Sequence, residues 1–210
     1  LGTGTIPEAT LHDPDPVVRA TAAAALGSRP ADERLARLPG LLADPLRAVR
    51  IAAARGLADI DDSRLTPAQR TDLHAGLAAF VAAQQAMADM PSAQLNLAAL
   101  AVARRDPAGA EPHYRRALAQ DAQVQAARLG LATLLAGSAR EDEAERLLRD
   151  GLPLATQPGE LHFALGLLAG QRKEWQKAAH ELRAAAALMP DHPRVRRNLD
   201  AVERYLQQTR

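Results

Sequence analysis

The sequence has no cysteine in its 210 residues. Disulfides, thiolate zinc sites, thiol catalysis and haem attachment through a C-x-x-C-H motif are therefore excluded from this stretch of chain. Aromatic residues are scarce too, with two Phe, two Tyr and one Trp. The packing units are small, and helices built from them can approach closely. Val, Ile and Thr together number only 20. These are the types that strands favour, so a β-sandwich or an α/β sheet is disfavoured. No apolar run approaches the ~18 residues that a membrane span requires; the longest, Ala75 to Ala83, is broken by Gln84 and Gln85. No basic segment precedes an apolar one, so the pattern of a signal peptide is missing. Charge of one sign is also lacking. The net charge is +1, split as −1 over residues 1–65 and +2 over 66–210. Neither part has the basic excess of a nucleic-acid binder. Of the 26 basic residues 24 are Arg, a bias we read as the mark of a GC-rich genome. The chain begins at Leu1 and not at Met, and we expect it to be a piece of a longer protein.

Alanine and leucine are abundant, with 48 and 32 copies. Both lose little or no side-chain freedom in a helix. Apolar residues reach 47%, enough for a core, while 13 Gly and 14 Pro are too few for a disordered or collagen-like chain. The composition predicts an all-α protein.

Two internal periods organise it. In the first, Asp13-Pro14-Asp15-Pro16-Val17-Val18-Arg19 returns as Asp44-Pro45-Leu46-Arg47-Ala48-Val49-Arg50, an offset of 31 residues. Asp accepts backbone N–H groups at a helix start, and Pro fits the first helical turn. Val18, Ala22, Ala25 and Leu26 then share one helical face, as do Val49, Ala53, Gly56 and Leu57. This pattern resembles the second helix of short HEAT repeats, two copies of which would fill residues 1–62. The first helix of the second copy, expected near 31–43, meets Pro39-Gly40 and has to kink or break there. The first copy has almost no first helix, because Gly2-Thr3-Gly4-Thr5-Ile6-Pro7 is poor helix material. Its remaining helix should show an uncovered apolar face, open to upstream repeats, to another molecule or to a second copy in a homo-oligomer.

The second period is 34 residues. Ala110, Tyr114 and Ala117 recur as Ala144, Leu148 and Gly151, then as Ala178, Leu182 and Ala185. Leu97-Ala98, Leu131-Ala132 and Leu165-Gly166 keep the same spacing, and Trp175 and Pro190 complete the third copy. Small residues at fixed positions mark close helix crossings, where a larger side chain would overpack the contact at ~1–3 kcal/mol. The pattern resembles the tetratricopeptide repeat (TPR). It implies repeats at about 91–124, 125–158 and 159–192 and a capping helix over 193–208 with Leu199 in register. A long leading helix over 67–89 would carry Gly76, Phe80 and Ala83 one period earlier. Thr66-Pro67-Ala68-Gln69 starts that helix with a capping-box pattern. Residues 59–66 form the junction, and 66–210 the TPR domain. The expected fold is an all-α, right-handed α-solenoid of helix pairs, with HEAT-like repeats followed by TPR repeats and a C-terminal capping helix.

The resemblance to TPR arrays implies a concave groove lined by the first helix of each repeat. The groove positions are Leu95, Asn96, Ala99 and Val102 in the first repeat and Leu129, Gly130, Thr133 and Ala136 in the second. The third supplies Glu160, Phe163, Ala164 and Leu167, and the capping helix adds Arg194, Arg197 and Asn198. Such a groove suits a peptide or partner protein with apolar side chains. Leu129 and Leu167 fit inter-repeat packing equally well, whereas Phe163 points to function. The Lys-Asn-Arg carboxylate clamp of one TPR subclass has no counterpart, since the only lysines, Lys173 and Lys177, lie in a turn and a second helix.

Other constellations carry less. None of the six histidines has H-E-x-x-H spacing. Asp59, Asp61 and Asp62 cluster in the junction, but no Gly and no distal Glu complete an EF-hand loop, so they read as solvated linker. Glu141-Asp142-Glu143 suits a helix start. Gly2-Thr3-Gly4-Thr5 is no phosphate loop, and Arg194, Arg196 and Arg197 lack the interleaved aromatics of a base-stacking surface. The residues thus predict a non-catalytic interaction scaffold with no metal, no cofactor, no nucleic acid and no membrane span. The order of HEAT-like repeats, long helix and TPR also resembles the C-terminal part of bacterial multihaem c-type cytochromes. That resemblance implies a docking arm of an exported electron-transfer protein, periplasmic where a scaffold alone would be cytoplasmic. A structural oligomerisation spacer is a third reading.

Overall fold

The computed structural model describes residues 6–209. The Gly2-Thr3-Gly4-Thr5 stretch lies outside the described residues. Among them the chain forms eleven α-helices and four short 3-10 turns, with no strand. The helices are α1 (Pro16–Leu26), α2 (Ala31–Arg37), α3 (Arg47–Gly56), α4 (Pro67–Gln85), α5 (Pro91–Ala103), α6 (Pro107–Gln120), α7 (Gln125–Gly137), α8 (Glu141–Gly151), α9 (Pro158–Gln171), α10 (Trp175–Leu188) and α11 (Pro193–Gln208). Contacts divide them into two compact units, one of Leu1–Asp89 with Asn96–Ala110, the other of Met90–Leu95 with Glu111–Arg210.

In the first unit α3 packs between α1 and α4. Leu26, Leu38, Leu42, Val49, Leu57 and Leu73 meet in one core. The Asp-Pro turns work alike in both copies. Asp13 Oδ1 accepts from Asp15 N and Asp44 Oδ1 from Leu46 N, each at 2.8 Å. Arg19 Nη1 donates to the carbonyls of Asp13 and Pro14, as Arg50 Nη1 does to those of Asp44 and Pro45. Arg19 also reaches forward one repeat and grips Asp44 through Nε at 2.7 Å and Nη2 at 3.1 Å. The Arg19 guanidinium and the Leu46 N–H hold the Asp44 carboxyl below its ordinary range.

Several details depart from the sequence expectation or sharpen it. Ala25 is exposed, and Ala23 is buried instead. The equivalent Gly56 is buried against Leu38; one repeat earlier that partner falls at Pro7, outside any helix. The helix expected near 31–43 ends at Arg37, and Pro39–Ala43 is a 3-10 turn that buries Leu41 and Leu42. The face of α1 expected to lie bare is partly covered by the 3-10 turn Glu8–Leu11, with Leu11 buried; Val17 remains 68% exposed. Helix α4 starts with the capping box, Thr66 and Gln69 exchanging bonds of 3.0 and 3.3 Å. It ends at Gln85 and not at 89, and a turn over residues 86–90 leads to α5.

In the second unit α7 packs on α8, α9 on α10, and α11 on α10. Leu131, Leu135, Leu148, Leu161 and Leu165 form its core. Ala178, Ala179, Leu182 and Val202 form another, backed by Phe163 and Trp175. The small positions of the 34-residue period are buried: Ala110, Ala117, Ala144, Gly151, Ala178 and Ala185. The turns repeat as well. Arg105, Ala139 and Lys173, spaced by the period, sit at φ near 58°. The next N–H closes back on the preceding helix, from Asp106 to Ala101 O, Arg140 to Leu135 O and Glu174 to Ala169 O. This is the left-handed helix stop known as a Schellman motif.

Candidate peptide groove of the second unit

Three partly buried polar contacts recur at one register in the second unit. His113 Nδ1 lies 2.8 Å from Gln94 Oε1. Arg128 Nη1 donates to Leu147 O at 3.1 Å, and its Nη2 to Ala122 O at 2.7 Å. His162 Nδ1 lies 2.7 Å from Glu181 Oε2. Gln94, Arg128 and His162 are one period apart, and so are His113, Leu147 and Glu181. Burial draws the Arg128 guanidinium below its ordinary value, with the Asp150 carboxylate opposing, and its hydrogen bonds go to carbonyls. Gly151 leaves space for the Arg128 stem, which a Cβ there would strike. The three contacts set the pairing register of the helices, since each buried polar group finds a partner only in that alignment. Burial also lowers the pKa of His113, helped by Arg116.

The solvent side carries a network of ion pairs. Arg140 binds Glu111 at 2.8 Å and Glu143 at 2.6 Å, and Arg115 holds the same two carboxylates. Both glutamates are pulled below the ordinary range, Glu111 mainly by Arg140 and Glu143 mainly by Arg115. Glu143 is thus engaged across helices, beyond the helix-start role expected for it.

The expected groove residues take several kinds of place. Thr133 and Leu167 line one cavity of about 320 Å³ with Ala132, Ala136, Ala164 and Gln171. Leu148 and Leu168, both nearly fully buried, line it too. The small alanines create the space, and Thr133 Oγ1 is turned to Leu129 O at 2.8 Å. Phe163, one turn before Leu167 on α9, is half-buried; its ring centroid lies 5.8 Å from that of His192 and 5.7 Å from Arg194 Cζ. Asn198 Nδ2 donates to Arg194 O. Arg194 and Arg197 are exposed. Leu129 packs against the Leu131 core and Phe163 against the Ala178 core, so both serve stability.

The first-repeat positions divide between the units. Leu95 belongs to the second, and Asn96, Ala99 and Val102 belong to the first. Asn96 Nδ2 donates to Gln84 Oε1 at 2.9 Å within the first unit, and Val102 is 49% exposed. The junction aspartates line one pocket with Arg104 and Arg105, but each is engaged separately. Asp59 is paired with Arg34, Asp62 with Arg104 and His74, and Asp61 caps the 3-10 turn at Ser63. No group of three or more His, Asp or Glu among the described residues could hold a metal ion. No helix among them is long and apolar enough to cross a membrane.

Paired helices, small crossing residues and a cavity between successive pairs define an all-α repeat protein, a class that presents extended binding surfaces. The repeats themselves are identified by comparison. Residues 7–78 match the family of HEAT repeats, and residues 101–168 match the tetratricopeptide repeat. The chain carries HEAT repeats followed by tetratricopeptide repeats. No curated protein matches it. Among solved structures, a chain of the crystal structure of the APC/C hetero-tetramer Cut9-Hcn1 is similar in fold, with a TM-score of 0.53 and 18% identity. The match covers 93% of this chain and 44% of that one, so the chain spans less than half the length of this neighbour. At that identity the likeness is one of fold alone.

Proposed function

We propose that the chain is a non-catalytic interaction scaffold that holds a peptide or a segment of a partner protein against the second unit. The observation that supports the reading is the open, apolar cavity between α7 and α9, walled by Thr133, Ala136, Ala164 and Leu167. An apolar cavity with few polar groups is the ordinary form of a binding site. A single bulky side chain of a peptide fits the volume, with the chain running past Phe163 towards α11. Leu129 packs in the core of the same unit and Asn198 is turned to Arg194 O; Asn96, Ala99 and Val102 belong to the other unit and take no part in this reading. In domain terms we assign residues 1–62 to the HEAT part and 66–210 to the TPR part, joined over 59–66.

The test is affinity capture from a lysate of the source organism with three baits. One is the wild-type chain. The second is Thr133→Trp, which fills the cavity from an exposed position, and the third is Leu167→Gln, which makes its wall polar. A partner retained by the first and lost from the other two is the expected result. The same proteins on all three baits would rule the cavity out as the site.

A further inference from the structure

We infer that the groove takes an acidic peptide, with one bulky apolar side chain seated in the cavity between α7 and α9 and a carboxylate held by Arg194 and Arg197 on α11. This inference rests on the groove reading above and adds the chemistry of the ligand.

The cavity explains the apolar half. Its walls are alanine and leucine, and its polar contributors are Thr133, already bonded within α7, and Gln171. A charged group placed there would meet little to replace its water. The charge lies next door. Leu167 is on the cavity wall, Phe163 is one turn earlier on the same helix, and Arg194 stacks over the Phe163 ring at 5.7 Å. Arg197 follows one turn later on α11. Several arginines near these helices are consumed by carboxylates: Arg115, Arg140, Arg149 and Arg172 each hold two or more, whereas Arg116, Arg146 and Arg204 have no such pair among the described residues. Arg196, between the two, is turned to Pro190 O and Asp191. Arg194 and Arg197 have no carboxylate partner among the described residues. Glu160, the acidic side chain one turn before Phe163, is taken by Gln125 at 2.7 Å. Stacking on Phe163 restrains the Arg194 guanidinium without using its N–H donors, which leaves the planar fork free for a carboxylate.

The geometry also limits the spacing. Leu167 and Phe163 are one helical turn apart, about 5.4 Å of rise, and the Phe163 ring lies 5.7 Å from the Arg194 guanidinium, so the anchor and the charge fall within reach of a short extended peptide. An extended peptide advances about 3.3 Å per residue, so the apolar residue and the Asp or Glu should fall within a few positions of each other.

A random peptide library displayed on phage, panned against the full chain and two variants, tests this. The variants are Arg194→Glu with Arg197→Glu, and Leu167→Gln; circular dichroism checks that each keeps its helix content. The wild type is expected to enrich peptides with a bulky apolar residue and an acidic one within that spacing. These should lose at least tenfold in affinity on the charge-reversed variant, which should enrich Lys or Arg at the same position, and their affinity should fall as salt rises. If the wild type enriches neutral or basic peptides that Leu167→Gln loses and the arginine variant keeps, the acidic inference is overturned and the groove reading stands. Enrichment indifferent to both variants, or no enrichment at all, overturns both.

Discussion

Two glycines one turn apart in α9 offer the same substitution with opposite consequences. A Cβ on Gly166 would lie 2.7 Å from Leu182 Cγ and 2.9 Å from its Cδ2, with the Leu182 backbone N at 3.3 Å. Leu182 is 1% exposed, so it cannot swing away, and α9 and α10 would have to part by several tenths of an ångström. A Cβ on Gly170 would meet nothing within 4 Å. Alanine in place of glycine favours a helix by up to about 1 kcal/mol in its interior and less near its end. Overpacking costs about 1–3 kcal/mol. Gly170→Ala should therefore stabilise the chain by about 0.5 kcal/mol, while Gly166→Ala should destabilise it by up to about 2 kcal/mol. Trp175, at the start of the facing helix α10 and against Tyr205 at 4.6 Å between ring centroids, reports the transition by fluorescence during urea unfolding. With unchanged slopes, the midpoints give the two free energies. If both substitutions stabilise alike, the helices do not cross closely at Gly166, and the role given to the small residues of the 34-residue period is wrong.

Two further outcomes follow from the turns. Ala139 sits at φ 56°, where a side chain costs about 1–2 kcal/mol relative to glycine. Glycine's greater freedom when unfolded offsets part of this, so Ala139→Gly should gain about 0.5 kcal/mol and raise the thermal midpoint; a lowered midpoint would contradict the left-handed turn. Asp44 is the second case. Its pKa is lowered in the folded state by Arg19, so its share of stability is complete above the ordinary carboxylate range and is lost as pH falls through the lowered value. Asp44→Asn should weaken the fold at neutral pH and make the urea midpoint less steep towards acid, where Asp59, Asp62 and Glu111, also lowered, still act. An unchanged acid slope would show that the Arg19 contact does not persist in solution.

Much of this was legible in the sequence because repeats restate their own geometry. Ala144 or Ala178 alone says only that a helix is favoured; in register with Ala110, each marks a crossing. The Asp-Pro turns were readable in the same way. What stayed hidden has physical causes. The buried polar register was missed because Gln94, Arg128 and His162 differ in type, and alignment by identity cannot see that three chemistries meet one need. The period was the available signal, since all three are polar at a position that falls among apolar neighbours. The Arg19–Asp44 contact joins one copy to the next, so comparing copies does not display it. Ala25 went astray because the first copy lacks the helix that covers its counterpart. In the candidate groove, helical spacing gave no measure of how deep Leu129 and Phe163 lie. Both are anchored in cores, and the cavity is formed as much by what Ala132, Ala136 and Ala164 lack.

The cavity between α7 and α9 can be tested by a binding isotherm. A fluorescent peptide from the wild-type selection is titrated with the wild-type chain and with Thr133→Trp, and anisotropy gives each Kd. Filling the cavity should weaken binding at least tenfold, about 1.4 kcal/mol or more, with helix content unchanged. An equal Kd for the two proteins would place the peptide elsewhere on the chain.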